Sequence, residues 1–184
     1  GNNPWNMVIF ANGGDVTING GTYTNVGAVD TETSDTEHFD VIYAKNGSTV
    51  TINGGTFKGE TPAWLLNIKD SDREETKIEV KGGTFYGFNP ANNLAEGENT
   101  NFVAECHAVE QTGDIYTVYK LDPVALVGGV EYASLKDAIT KCASGSTIVL
   151  VDDTQWTEGL TIDKEITIDL NGKTITSVGD VFDV

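Results

Sequence analysis

Alternation of β-branched with polar residues is the dominant pattern along this chain, and it breaks off three times at the same punctuation. Asp15-Val16-Thr17-Ile18-Asn19-Gly20-Gly21-Thr22-Tyr23 returns as Ser48-Thr49-Val50-Thr51-Ile52-Asn53-Gly54-Gly55-Thr56-Phe57, and again as Lys77-Ile78-Glu79-Val80-Lys81-Gly82-Gly83-Thr84-Phe85. A period of two built on Val, Ile and Thr predicts strands with every second side chain facing a core. Gly-Gly permits backbone angles that a Cβ forbids, so the chain turns a corner and restarts an extended run at Thr-aromatic. A strand-corner-strand unit that returns at intervals of roughly 20 to 50 residues marks a solenoid, and loops of unequal length can leave it without disturbing the stack. The expectation is an all-β fold, a right-handed single-stranded parallel β-helix. Ile18, Ile52 and Val80 would form one interior ladder, and Tyr23, Phe57 and Phe85 a second.

The remaining elements extend this grammar. Apolar strands at 5–10, 40–44 and 63–68 would open the three coils, followed by the turns Asn12-Gly13-Gly14 and Lys45-Asn46-Gly47 and by the polar run from Lys69 to Glu75. Residues 25–39 and 87–100 are polar excursions, expected as outside loops, where a scaffold of this kind carries function. Strands at 102–109 and 115–119 around Gln111-Thr112-Gly113-Asp114 predict a hairpin within 101–120 that closes one end, whose strands otherwise leave backbone groups unpaired. Residues 1–120 therefore read as closing coils, and Leu121-Asp122-Pro123 as a linker. In 124–184, Ser134 is an N-cap and Leu135, Ala138, Ile139 and Cys142 share one face, which predicts a short capping α-helix near 134–143 that ends before Gly145. Strands are expected at 147–151, 160–162, 166–170 and 174–176, with Asn171-Gly172-Lys173 as a turn. A short amphipathic helix ahead of a solenoid caps its first coil, so this part reads as opening coils.

Charge narrows the partners. Lys and Arg number 11 against 28 Asp and Glu, a net charge of −17 that repels nucleic acid and anionic membranes. No run of about 18 apolar residues predicts membrane insertion. Cys106 and Cys142 match no zinc or haem spacing, are too few for a disulfide framework, and read as free thiols. Gly1 reads as the remnant of a cleaved tag, with the natural N-terminus and any export signal expected upstream.

Val130-Glu131-Tyr132-Ala133-Ser134-Leu135-Lys136-Asp137-Ala138-Ile139, with Ser146-Thr147-Ile148-Val149-Leu150 and Ile168-Asp169-Leu170-Asn171-Gly172-Lys173-Thr174-Ile175, resembles the opening of a repeated module. That module belongs to large surface or secreted, adhesin-like proteins of gut-type bacteria and has a pectate-lyase-like right-handed β-helix. Phe102-Val103-Ala104 through Tyr116-Thr117-Val118 resembles its close. The resemblance implies an extracellular or cell-surface setting, and it is specific for fold but not for function, since this fold hosts lyases, hydrolases, adhesins and tailspikes. Closing coils here precede opening coils. Either the chain is a piece cut across a module boundary of a tandem array, or 124–184 docks on 1–120, in the same chain or in a neighbour. Docking on a neighbour would give head-to-tail self-association.

Candidate chemistry is sparse. Asp152-Asp153 follows a strand, but adjacent strand residues point to opposite faces, so the pair suits a solvated turn better than the paired carboxylates of a glycosidase. Asp70, Asp72 and Glu74 are weak calcium candidates, as are Asp30, Glu32, Asp35 and Glu37, because calcium takes six to eight oxygens, and these runs lack the spacing of a calcium loop. His38 and His107 stand apart with no nucleophile pattern. The lyases of the resembled superfamily need a basic group and cations; the single arginine, Arg73, lies among acids, and the superfamily's Gly-His-Gly turn is absent. Trp64 and Trp156 adjoin Gly/Thr/Glu-rich turns and either stack on sugar rings or pack in the core. The expectation is a non-enzymatic stalk or adhesin-like module, without catalytic residues or cofactor, that meets glycans or partner proteins through its loops. The alternative is a carbohydrate-active enzyme, a polysaccharide lyase or a glycoside hydrolase.

Overall fold

In a computed structural model, which describes residues 7–26, 39–93, 96–97, 100–156, 160–177 and 182–183, three successive segments of sequence fold alike because each repeats the alternation-corner-aromatic pattern. The first gives β1 (Ile9–Asn12), β2 (Asp15–Ile18) and β3 (Thr22–Asn25). The second gives β4 (Ile42–Lys45), β5 (Thr49–Ile52) and β6 (Thr56–Gly59), and the third β7 (Leu66–Ile68), β8 (Lys77–Val80) and β9 (Gly83–Tyr86). Each segment contributes one strand to each of three sheets, in the orders β1-β4-β7, β2-β5-β8 and β3-β6-β9, all parallel.

Register then puts like over like. Ile18, Ile52 and Val80 align in one row, and Tyr23, Phe57 and Phe85 in another. The rings of that second row stack at 5.2 Å and 10°, then 4.8 Å and 9°. Phe57 and Phe85 are fully buried. Burial of each ring contributes roughly 1.5–3 kcal/mol, and each ring pair about 0.5–1.5 kcal/mol more. The corner glycines answer to close approach: a Cβ on Gly82 would lie 2.5 Å from the Asn53 carbonyl oxygen, whereas one on Gly20 would meet open space.

Residues after β9 cover the outer edges of the third segment in three different ways. Val103 forms a parallel bridge with Val80 on the edge of β8. A hairpin of β10 (His107–Thr112) and β11 (Ile115–Lys120) adds antiparallel to β9. On β7 side chains replace a strand: Asn93 Nδ2 donates to the Leu66 carbonyl at 3.4 Å, and the Ile68 N–H donates to Glu96 Oε1 at 3.2 Å.

Several boundaries differ from the sequence expectation. The first strand starts at Ile9, and residues 1–6 lie outside the described residues. Only Leu66–Ile68 of 63–68 is a strand, since Pro62 opens a 3₁₀ turn over Pro62–Trp64. The hairpin begins at His107 because Cys106 takes a left-handed φ of 58°, which ends extended pairing.

The chain divides into two compact units, Gly1–Lys120 and Leu121–Val184. In the second, β12 (Ala125–Val127) and β13 (Val130–Tyr132) form a hairpin that the sequence reading missed, turned at Gly128-Gly129, both at positive φ. Helix α1 (Leu135–Lys141) follows, capped by the Ser134 hydroxyl, which accepts from the Asp137 N–H at 3.0 Å. Lys164 Nζ donates to the carbonyls of Thr140 and Cys142 at its C-terminal end, at 2.9 and 2.8 Å. The strands β14 (Ser146–Leu150), β15 (Thr154–Trp156), β16 (Leu160–Thr161), β17 (Ile166–Asp169), β18 (Ile175–Ser177) and β19 (Phe182–Asp183) make three parallel pairs, β14–β17, β15–β18 and β16–β19. The far edge of β14 is taken antiparallel by β12. Leu135, Ala138, Ile139, Ile148, Leu150 and Trp156 form the buried core of this unit.

Candidate functional site

Strand alternation sorts the side chains of the β1-β4-β7 sheet. Ala11, Ile42, Ala44, Leu66 and Ile68 are buried in the core, while Phe10, Tyr43 and Asn67 align as one row of the opposite face. Phe10 is 50% exposed, and its ring stacks on Tyr43 at 6.0 Å and 21°. The Lys45 ammonium sits 5.1 Å from the centre of the Phe10 ring, and the Asn46 side-chain amide donates to that of Asn12 beside it. The row thus begins as an open aromatic step flanked by a cation and amides.

Its third member leads into a buried polar cluster. Asn67, 6% exposed, donates through Nδ2 to Asp40 Oδ1 at 3.0 Å, and Asn25 Nδ2 donates to the Asp40 carbonyl at 2.9 Å. Asp40 Oδ2 has no hydrogen-bond partner among the described residues. Burial pushes the Asp40 carboxyl up to about 7, against the opposing pull of the Asn67 bond. Glu96 is likewise raised to about 7, by burial first and by Asp70 and Asp40 after it, although Arg73 and the Ile68 N–H pull the other way. Arg73 Nη2 lies 3.2 Å from Glu96 Oε2 and 2.8 Å from Asp70 Oδ1, and Nη1 donates to the Glu96 carbonyl. The Tyr43 hydroxyl is raised by burial and then by the charges of Asp40, Asp72, Asp70 and Glu96. Chemically the cluster is a clamp: the polar contacts of Asp40 and Glu96 tie separate segments of the chain together, and both residues are sealed from solvent.

The residues singled out in the sequence fall elsewhere. Trp64 ends the 3₁₀ turn over Pro62–Trp64 and is half-buried, outside the Phe10–Tyr43 row. Trp156 is 6% exposed in the core of the second unit, so its ring packs against apolar neighbours and is not presented at the surface. Asp70, Asp72 and Glu74 do not converge. Asp70 pairs with Arg73 at the surface, and Glu74 is exposed. Asp72 turns inward to accept from Ser71 Oγ at 2.6 Å, the Asn46 N–H at 2.9 Å and Lys69 Nζ at 3.2 Å, bonds that lower its pKa to about 2. Among the described residues no group of three or more His, Cys, Asp or Glu side chains is arranged to hold a metal ion.

Asp152 and Asp153 serve the turn, accepting from the Asp153 and Thr174 N–H groups, each at 2.8 Å. His107 Nδ1 lies 2.7 Å from the Glu105 carbonyl. Cys106 and Cys142 are buried thiols that form no disulfide. Residues 27–38, with Asp30, Glu32, Asp35, Glu37 and His38, lie outside the described residues, as do residues 94, 95, 98 and 99 of the second excursion.

Sequence reading missed Phe10, Tyr43, Asp40 and Glu96. One signal was present: Asn67 interrupts the apolar run Leu65-Leu66-Asn67-Ile68, and a polar residue in a strand of that kind needs a buried partner. Comparison of the chain with protein-family models, curated proteins and solved structures finds no match.

Proposed function

We propose that the three parallel sheets are the faces of a right-handed parallel β-helix, and that the protein is a non-enzymatic stalk or adhesin-like module of the bacterial cell surface that holds glycans on the outer face of the β1-β4-β7 sheet. The observation that carries the reading is the open Phe10–Tyr43 step beside Lys45, Asn12 and Asn46. Aromatic faces meet the C–H faces of sugar rings, and flanking amides and a cation meet hydroxyls and carboxylates. The pectate-lyase-like resemblance and the net negative charge agree with such a setting, although the 87–100 stretch expected as an outside loop instead packs Asn93 and Glu96 onto β7.

One observation favours the alternative of a carbohydrate-active enzyme, namely two buried carboxyls, Asp40 and Glu96, held near neutrality. Their burial and their occupation by structural bonds weigh against it. The test is incubation of the protein, with calcium and with chelator, against a panel of plant, host and microbial polysaccharides, with binding, new reducing ends and unsaturated products scored on the same samples. The expected result is binding without turnover, weakened roughly tenfold in Phe10→Ala with the fold intact. Turnover of any substrate overturns the reading and directs mutation to Asp40 and Glu96, and absence of binding leaves a stalk without a glycan.

A further inference from the structure

We propose that the chain assembles head to tail, the outer edges of β17 and β18 in one copy pairing in parallel with the outer edges of β1 and β2 in the next. This rests on the β-helix reading and adds to it an interaction surface and its occupant, a second copy of this chain.

Among the described residues the first unit is covered at one end and open at the other, while the second is covered at β14 and open beyond β17 and β18. In the first, the edges of β7, β8 and β9 are covered by Asn93 and Glu96, by Val103 and by β11, while among the described residues no strand pairs with the outer edges of β1, β2 and β3. In the second, β12 covers β14, and no described strand pairs with the outer edges of β17 and β18. The open ends are opposite in sequence sense. The first unit is open before its first strands and the second after its last, so the second unit supplies what would precede the first.

The hydrogen-bonding parity of the two edges is complementary. The Asn53 N–H donates to the Ile18 carbonyl, so Val16 and Ile18 face β5, and Asp15 and Thr17 face outward along the edge. The Thr154 N–H donates to the Thr174 carbonyl, so Thr174 and Thr176 face β15, and Ile175 faces outward. Ile175 can therefore bond to Asp15 and Thr17 in the way that Ile18 bonds to Asn53. Likewise the Gly145 N–H donates to the Glu165 carbonyl, which leaves Ile166 and Ile168 facing outward, and the Ile9 N–H donates to the Val41 carbonyl, which leaves Phe10 and Asn12 facing outward.

Packing agrees with the pairing. Ile9 and Val16 at one open end are only partly buried, whereas Ile42 and Val50, one strand further in, are at 0%. Ile166, Ile168 and Ile175 at the other open end are partly buried, whereas Ile148, paired with Ile168 one strand further in, is at 0%. The corner also repeats. Asn46-Gly47 at φ 55° and 70° closes with the Ser48 N–H donating to the Lys45 carbonyl at 3.2 Å, and Asn171-Gly172 at 48° and 75° closes with the Lys173 N–H donating to the Leu170 carbonyl at 2.7 Å. A contact between two different ends does not close on itself, so copies add in series. The charge of −17 opposes each addition, and salt relieves that repulsion.

Sedimentation velocity on the full chain, over a wide concentration range in low and high sodium chloride, tests the proposal. Species larger than the monomer are expected, and they grow with concentration and with salt. Thr17→Pro removes an outward N–H on β2 and is expected to leave monomer alone, with an unchanged circular dichroism spectrum. In the unmodified chain, hydrogen exchange at the Thr17 and Ile175 amides is expected to slow with concentration. A monomer throughout, assembly of Thr17→Pro equal to that of the parent, or exchange independent of concentration each overturns the proposal. Cross-strand NMR contacts among β2, β5 and β8 in the dilute sample test the β-helix reading separately.

Discussion

Gly20 and Gly82 occupy the same place in the repeated motif and carry different constraints. Gly82→Ala drives a methyl group into the Asn53 carbonyl and is expected to destabilise the fold by about 1–3 kcal/mol, while Gly20→Ala stays within about 0.5 kcal/mol; chemical denaturation of both variants checks this. Asp40 and Glu96 set an unusual pH response. Each is raised to about 7 in the folded chain, so the unfolded chain gives up its protons first, from about pH 4. Their contribution is full at or below that pH and is lost as pH rises to about 7, on the order of 3 kcal/mol for each. Asp72, lowered to about 2, acts in the opposite sense, its contribution being lost as pH falls from about 4. Melting temperature is therefore expected to peak near pH 4–5 and to fall toward pH 8. Glu96→Gln, which keeps an acceptor for the Ile68 N–H, should flatten that fall.

The edge of β7 shows two side chains standing in for a strand. Glu96→Ala leaves the Ile68 N–H without its acceptor, and exchange at that amide is expected to rise at least tenfold while amides in β5 are unaffected; hydrogen exchange read by NMR decides it. Strands and corners of the first unit were legible because Val, Ile and Thr alternate over four residues and Gly-Gly-Thr-aromatic fixes the register, which is why the Ile18 and Tyr23 rows could be written from sequence. The edge cover was not legible. Asn93 and Glu96 reach β7 from a polar excursion, and local pattern carries no information on where such a segment returns. The β12–β13 hairpin was missed for a different reason: strands of three residues give too little alternation to register, although Gly128-Gly129 marks the turn. The aromatic step was hidden by its register, since Phe10 and Tyr43 look like members of apolar runs until pairing places them on the outer face.

The whole chain carries −17, and acids outnumber bases in both units. Like charges held close in the folded state repel more than in the expanded chain, so added salt is expected to raise the melting temperature by a few degrees, with sodium chloride and sodium sulfate compared by differential scanning calorimetry to separate screening from exclusion effects. The three sheets of the first unit also have a mechanical consequence. Their backbone hydrogen bonds all run from one segment to the next, so a load applied along that direction is shared among three ladders before any one yields. A pull on a single strand meets one ladder only and peels it residue by residue. The first unit therefore resists tension between successive segments better than unravelling from a loose end, and the side-chain cover on β7 and the hairpin on β9 guard it against fraying.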